Sequence, residues 1–208
     1  MDTKAHWEQV YREKGPDQVS WFQAEARLSR RLIEQAAPDR NASILDVGAG
    51  ASTLVDGLLA SGYRRLTVLD LSAAALALTR SRLGPGAEHV TLLEGDVLTA
   101  SFATAAFDVW HDRAVFHFLT DAEQRRRYIA QVRHAVRPGG YVLVATFADD
   151  GPLRCSGLDV ARYSAEELHG VFGADFQLVT STREDHVTPS GGHQAFVYCL
   201  CRTPSSDT

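Results

Sequence analysis

The feature that most limits what this chain can fold into is an alternation. Five short runs rich in β-branched and aromatic residues, at 44–47, 66–69, 90–93, 107–110 and 141–147, are separated by stretches of helical periodicity. Helices are expected over 53–61, over 73–83 behind a Ser72 cap, and over 123–136, where Tyr128, Ile129, Val132 and Val136 fall at helical spacing before Pro138-Gly139-Gly140. Strands joined through helices run parallel, and near-continuous apolar strands imply a sheet covered on both faces. After Phe147 the pattern changes to one helix over 164–172 and two strand-like runs, 176–182 and 194–200, joined by a turn containing TPSGG. Those two can pair as an antiparallel hairpin at the sheet edge. The expected fold is therefore α/β: a doubly wound, Rossmann-like, seven-stranded sheet, mostly parallel, with helices on both faces.

Two helical patterns, 5–14 and 24–36, precede the alternation and are separated by GPDQVSWF. They are expected to form an N-terminal helical cover, residues 1–40, over the active site of a single domain spanning 1–208. A chain of 208 residues and 22.7 kDa needs only one core, without help from metals or disulfides. Its formal charge of −5 argues against nucleic acid, whose binding draws on clustered Lys and Arg. The N-terminus carries no apolar h-region and no run reaches membrane-spanning length, so a cytoplasmic protein without a membrane partner is expected. Cys199 and Cys201 sit two apart on one face of a strand, a poor geometry for bridging each other, and read with Cys155 as reduced thiols. No metal site is expected, because too few Cys and His stand at ligand spacing. Only the last residues, TPSSDT, read as a frayed tail.

The first strand runs into a glycine turn and a helix in SILDVGAGASTL, residues 43–54. Ligands of such sheets bind outside the carboxyl ends of the strands, and glycine turns there usually hold a nucleotide. A dinucleotide fingerprint beginning at Gly48 would need a third glycine where Thr53 stands. Asp46, at the end of the same strand, would repel a pyrophosphate but attract a cationic amino group, such as the one carried by S-adenosylmethionine. Asp70 follows Gly50 by 20 residues, the spacing at which a carboxylate accepts from ribose hydroxyls, and Asp96 ends the third strand where it can meet an adenine amine. Acids at strand ends also cap helices, but three in register point to a ligand. The expected cofactor set is Asp46, Gly48, Gly50, Asp70, Leu71, Asp96 and Val97.

In order, DVGAG, VLDLS, EGDV, FDVWHDRAVFHFL and RPGGYVLVATF resemble the motif series of class I S-adenosylmethionine-dependent methyltransferases, over residues 43–148. The third glycine usual in that turn is Ser52 here. Two further stretches, WHDRAVFHF and the loop and helix after Phe147, are similar to the thiopurine and tellurite-resistance methyltransferases, which act on small soft nucleophiles. That resemblance implies that Arg113 contacts substrate, that Asp112 orients it, and that Trp21 closes the methyl-transfer site. A thiol attacks as its anion, and a guanidinium or imidazolium lowers its pKa; Arg113, His111 and His117 are close in sequence, and His111 joins the candidate catalytic set. The opening HWEQVYREKG…WF also looks like the seven-strand protein lysine methyltransferases, for which Asp112 and Trp21 would receive an ammonium. A non-catalytic cofactor-binding module is a third reading. A small-molecule substrate and a monomer are expected. His117, Cys155 and His186 read as structural or rim residues.

Overall fold

In the computed structural model, residues 3–205 are described. Residues 206–208 of the expected tail lie outside them. Nine strands and six α-helices are found among the described residues, numbered here in chain order. Seven strands form one sheet: β1 (Ser43–Val47), β2 (Arg65–Asp70), β3 (Val90–Glu94), β4 (Phe107–Arg113), β5 (Val136–Phe147), β8 (Gln177–Val187) and β9 (His193–Arg202). Their spatial order is β3-β2-β1-β4-β5-β9-β8. The first five are mutually parallel, whereas β9 enters antiparallel between β5 and β8. The two-residue strands β6 (Arg154–Cys155) and β7 (Leu158–Asp159) make a separate small hairpin. The doubly wound, mostly parallel sheet with an antiparallel edge pair is as the alternation implies.

Two core layers, one on each side of the sheet, follow from the alternation of side chains along each strand. One face carries Ile44, Leu66, Val68, Val109 and Leu143 against α2 (Arg27–Ala36), α3 (Leu54–Ala60) and Leu76 of α4 (Ala73–Leu83). The other carries Leu45, Val47, Trp110, Val142 and Val144 against α5 (Ala122–Ala135) and α6 (Ala165–Phe172). Caps mark the helix starts: Ser72 Oγ accepts from Ala75 N at 3.1 Å, Asp121 accepts from Glu123 and Gln124, and Ser164 with Glu167 forms a reciprocal capping box.

Two departures from the sequence expectation have local causes. Pro138-Gly139-Gly140 does not separate helix from strand; α5 ends at Ala135 and β5 starts at Val136, with the register shifting between Phe107 and Val109 so that the Pro-Gly-Gly stretch is absorbed as an irregularity. Gly139 takes φ of 69°, the left-handed conformation that lets it fill that role. The start of the tail is also tied down, since Thr203 N and Oγ1 donate to Gly140 O and Arg137 O at 2.9 and 2.8 Å.

The N-terminal segment packs across the carboxyl ends of the strands. α1 (Thr3–Glu13) contributes Trp7 and Tyr11, and Glu8 accepts from Ala73 N at 2.6 Å. The link between α1 and α2 is pinned to the sheet edge: His186 Nε2 lies 2.7 Å from Ser20 O, Gln23 donates to Glu184 at 3.0 Å, and Arg113 donates to Trp21 O at 3.0 Å.

Candidate active site

The turn after β1 is braced from two sides. Gly48 N donates to Leu69 O at 2.7 Å and Gly50 N to Asp70 Oδ2 at 2.7 Å. From α4, Thr79 donates to Gly50 O, while Arg82 donates to Ala51 O and Ser52 O at 3.0 and 2.6 Å. Both glycines are left-handed, with φ of 58° and 55°. Neither has room for a side chain: a Cβ on Gly48 would lie 2.0 Å from Val115 Cγ2, and one on Gly50 would lie 1.9 Å from the Tyr11 hydroxyl. Glycine is required twice over, for conformation and for approach.

A cavity of about 530 Å³ opens beside this turn, within the roughly 300–1,000 Å³ typical of small-molecule sites. One end is lined by Gly48, Asp70, Leu71, Glu94, Asp96 and Val97, the carboxyl ends of β1, β2 and β3. The rest of the lining includes Trp7, Trp21, Arg113, Phe118 and Cys155, with Tyr11 standing against the turn at Gly50. Trp7 stacks edge-on against both Trp21 and Phe118, with centroids 5.6 and 5.3 Å apart, so three aromatic rings from α1, the link and the segment after β4 form one apolar wall.

Of the expected cofactor set, Gly48, Asp70, Leu71, Asp96 and Val97 line this cavity. Gly50 sits behind it, holding Asp70. Burial pushes the Asp70 carboxyl up to about 6, against the pull of the Ser72 and Gly50 amides that it accepts, with Asp46 and Glu8 raising it further. Asp96 Oδ1 accepts from Leu98 N at 2.8 Å. Asp46 lies one layer away: it lines a second, smaller cavity of about 40 Å³ that shares Gly48, Trp21 and Arg113 with the first. Its Oδ1 is 2.6 Å from His111 Nδ1, while Oδ2 is buried without a partner.

The segment His111-Asp112-Arg113 is not one constellation. It lies in β4, where consecutive side chains point to opposite faces. Asp112 faces α5, fully buried, and accepts from Val115 N, Phe116 N and the Tyr128 hydroxyl at 2.9, 3.1 and 2.7 Å. Burial raises its carboxyl to about 6 despite those bonds. It lines neither cavity, so the expected substrate-orienting role is corrected to one of shaping the chain after β4. His111 faces the other way, bonded to Asp46 and, through Nε2 at 2.9 Å, to Ser29 of α2. It does not reach the larger cavity, which removes it as a direct base or acid there.

Arg113 and Trp21 do line the larger cavity. The guanidinium donates to the Tyr198 hydroxyl at 2.9 Å and to Trp21 O at 3.0 Å, lies 3.4 Å from Glu184, and sits 4.1 Å above the Phe196 ring. Its charge is therefore already met by Glu184, and it clamps the cover to β8 and β9. Cys155 faces the same end, but burial pushes its thiol up to about 12, only partly offset by Arg113, so it stays protonated and unreactive. His117 is fully buried against Phe118 and Phe147, and burial with Arg113 nearby lowers its pKa to about 3; it is a neutral packing residue. Cys199 and Cys201 are free and buried, with Sγ atoms 3.3 Å apart.

Sequence reasoning passed over Trp7, Tyr11 and Phe118. The first two stand four apart in α1, on one helical face, a signal that was available. Phe118 was hidden inside an apolar run, and nothing local marks it.

Residues 44–140 match the model of a methyltransferase domain family. That stretch of the chain resembles a methyltransferase domain, and the seven-stranded sheet around it is the Rossmann-like methyltransferase fold. No curated protein matches it by sequence. Among solved structures, the domain is similar to the 1,6-didemethyltoxoflavin-N1-methyltransferase of Burkholderia thailandensis, solved with 1,6-didemethyltoxoflavin and S-adenosylhomocysteine (24% identity, 97% of this chain and 87% of that one, TM-score 0.73). It is also similar to the N-methyltransferase NodS of Bradyrhizobium japonicum, in complex with S-adenosylhomocysteine (18%, 96% and 100%, TM-score 0.72). The cyclase SpnF shares the fold as well (15%, 97% and 92%, TM-score 0.71), so the likeness of these structures speaks for architecture alone. The cofactor of this enzyme class is S-adenosylmethionine, and the site fits it: a turn with no room for a Cβ, acids at three adjacent strands, and an unpartnered Asp46 oxygen next to the turn. Among the described residues the methyltransferase has no cluster of acidic, His and Cys side chains able to hold a metal, and no helix long and apolar enough to cross a membrane.

Proposed function

We propose that this methyltransferase acts on a small soft nucleophile, the sulfur of a small thiol in the first instance, as the thiopurine and tellurite-resistance enzymes do. The observation that carries the reading is the roofed cavity: Trp7, Tyr11 and Trp21 lie over the strand ends and Arg113 stands at its inner wall. A lysine side chain on a protein would need an open, acidic groove, whereas the acids here line the strand ends where the nucleoside is expected.

When bound, the donor supplies a methyl group on a sulfonium, already activated for displacement. In this reading Asp70 accepts from the ribose hydroxyls, Asp96 meets the adenine amine, and Asp46 faces the cationic amino end. Leu71 and Val97 pack against the nucleoside. The chain's remaining task is orientation, which holds nucleophile and methyl carbon roughly 3–3.5 Å apart before attack. The Trp7–Trp21–Phe118 wall excludes water from that line. Arg113 stands at the inner end paired with Glu184, so it serves a thiolate by orienting it rather than by lending it an unpaired positive charge.

Turnover with radiolabelled donor against a panel of small thiols, selenols, heteroaromatic amines and a lysine-containing peptide tests this. Methylated thiol is the expected product. Preferential methylation of nitrogen acceptors, or donor binding without any product, would overturn it.

A further inference from the structure

A second buried hydrogen-bonded chain lies outside the cavity that holds the reaction. It runs from Ser29 Oγ on α2 through His111 on β4 to Asp46 on β1, over 2.9 and 2.6 Å, with all three residues buried. Strand register creates it: Asp46 and His111 are paired neighbours on β1 and β4, so their side chains stand side by side on the face that α2 covers. An ionised carboxylate only accepts, which puts a proton on His111 Nδ1; in the neutral ring Nε2 then accepts from the Ser29 hydroxyl.

The chain stops one bond short. Asp46 Oδ2 is buried and has no partner, an expensive condition for a carboxylate unless something comes to meet it. Asp46, Ser29 and His111 all line the cavity of about 40 Å³ next to the glycine turn. That volume suits a single ammonium-sized group and excludes a substrate. Arg113 reaches the same space, but its charge is met by Glu184 and its N–H groups face Tyr198 and Trp21. Asp46 Oδ2 is the acceptor left for a ligand.

We propose that Ser29 and His111 are positioning residues that hold Asp46 through Oδ1, so that Oδ2 is presented to the cationic amino end of the methyl donor. This rests on the reading of Asp46 given above and extends it to the cover: α2 becomes part of donor recognition, and docking of the cover and binding of the donor's amino acid tail are coupled through three side chains.

The test separates tail from nucleoside. Affinities of S-adenosylhomocysteine and of methylthioadenosine, which keeps the nucleoside and sulfur but lacks the amino acid tail, are measured by calorimetry on the wild type and on Asp46→Asn, His111→Leu, His111→Asn and Ser29→Ala. His111→Leu is expected to weaken S-adenosylhomocysteine about tenfold or more, the scale of one hydrogen bond to a charged group, while methylthioadenosine changes by less than about twofold on that same scale. His111→Asn keeps an N–H where Nδ1 stands and should restore most of the affinity. Ser29→Ala should show a smaller loss, again for the tailed ligand only, and decides the matter if His111→Leu does not fold. Equal losses for both ligands, or none, would overturn the positioning role while Asp46→Asn still reduces the preference for the tail. If Asp46→Asn leaves that preference intact, the placement of the amino end at Asp46 is itself wrong and the inference falls with it.

Discussion

Removing the charge of Arg113 should cost this protein its stability before it costs it any chemistry, and the size of the effect follows from the surroundings. The Arg113 side chain is 9% exposed and that of Glu184 18%, with the Tyr198 hydroxyl donating to Glu184 at 2.8 Å and accepting from Arg113 at 2.9 Å. Arg113→Met keeps the apolar stem over Phe196 but leaves the half-buried Glu184 carboxylate with only two neutral donors, the Tyr198 hydroxyl and the Gln23 amide. Breaking a buried pair on one side costs about 3–5 kcal/mol, of which the upper part is discounted here because Glu184 is not fully sealed from water. For a domain of this size, about 3 kcal/mol lowers the melting midpoint by roughly 6–12 °C. Arg113→Met with Glu184→Leu removes both charges, and should recover most of the loss. Urea unfolding of the wild type, both single variants and the double variant gives the coupling energy directly. If Arg113→Met costs less than about 1 kcal/mol, or the double variant is no more stable than the single, the clamp is not holding the cover and the structural account of Arg113 fails. The double variant has a second use: folded but lacking the guanidinium, it should bind donor normally and turn over a thiol slowly if Arg113 also serves the nucleophile.

Gly48→Ala should cost about 1–2 kcal/mol for the left-handed backbone and more for the 2.0 Å approach to Val115, with a further loss of donor affinity; adding Val115→Ala should return the steric part only, and full recovery by the second change would refute the backbone requirement. Asp70 and Asp112 are both raised to about 6 by burial, from 3.8. Between those values the folded state binds more protons than the unfolded, so their contribution to stability is present in full below about pH 4 and is lost as pH rises through 6. Asp70→Asn should therefore gain on the wild type by roughly 2 kcal/mol between pH 4 and pH 7 in urea unfolding, and a pH-independent difference would show that the carboxyl is not shifted. Trp7→Ala removes the ring that joins Trp21 to Phe118 and should raise KM for the acceptor more than the donor dissociation constant; parallel losses in both would place Trp7 on the donor instead.

What the sequence discloses here divides along the direction of the strands. Along the chain, the alternation of apolar runs and helical periods suffices for the sheet, because each element's type is a local matter of side-chain spacing. The acids at Asp46, Asp70 and Asp96 were legible for the same reason, as were Gly48 and Gly50, whose left-handed turn has a local signature. Across the chain, adjacency in sequence misleads. His111, Asp112 and Arg113 look like one catalytic group, yet the pleat sends the middle residue to Tyr128 and its neighbours to the N-terminal cover. That split was itself readable, since a strand was expected to end at 110 and extending it by three residues forces the alternation. No comparable rule exists for Ser29 or Glu184. Each meets its partner across a sequence separation of 82 or 71 residues, a contact fixed only by strand register and by how α2 and β8 pack. The cavity residues that sit at or just past strand termini follow from local pattern. The others come from the cover and the segment after β4, places brought together by tertiary packing, which is why that part of the lining emerged only with the fold.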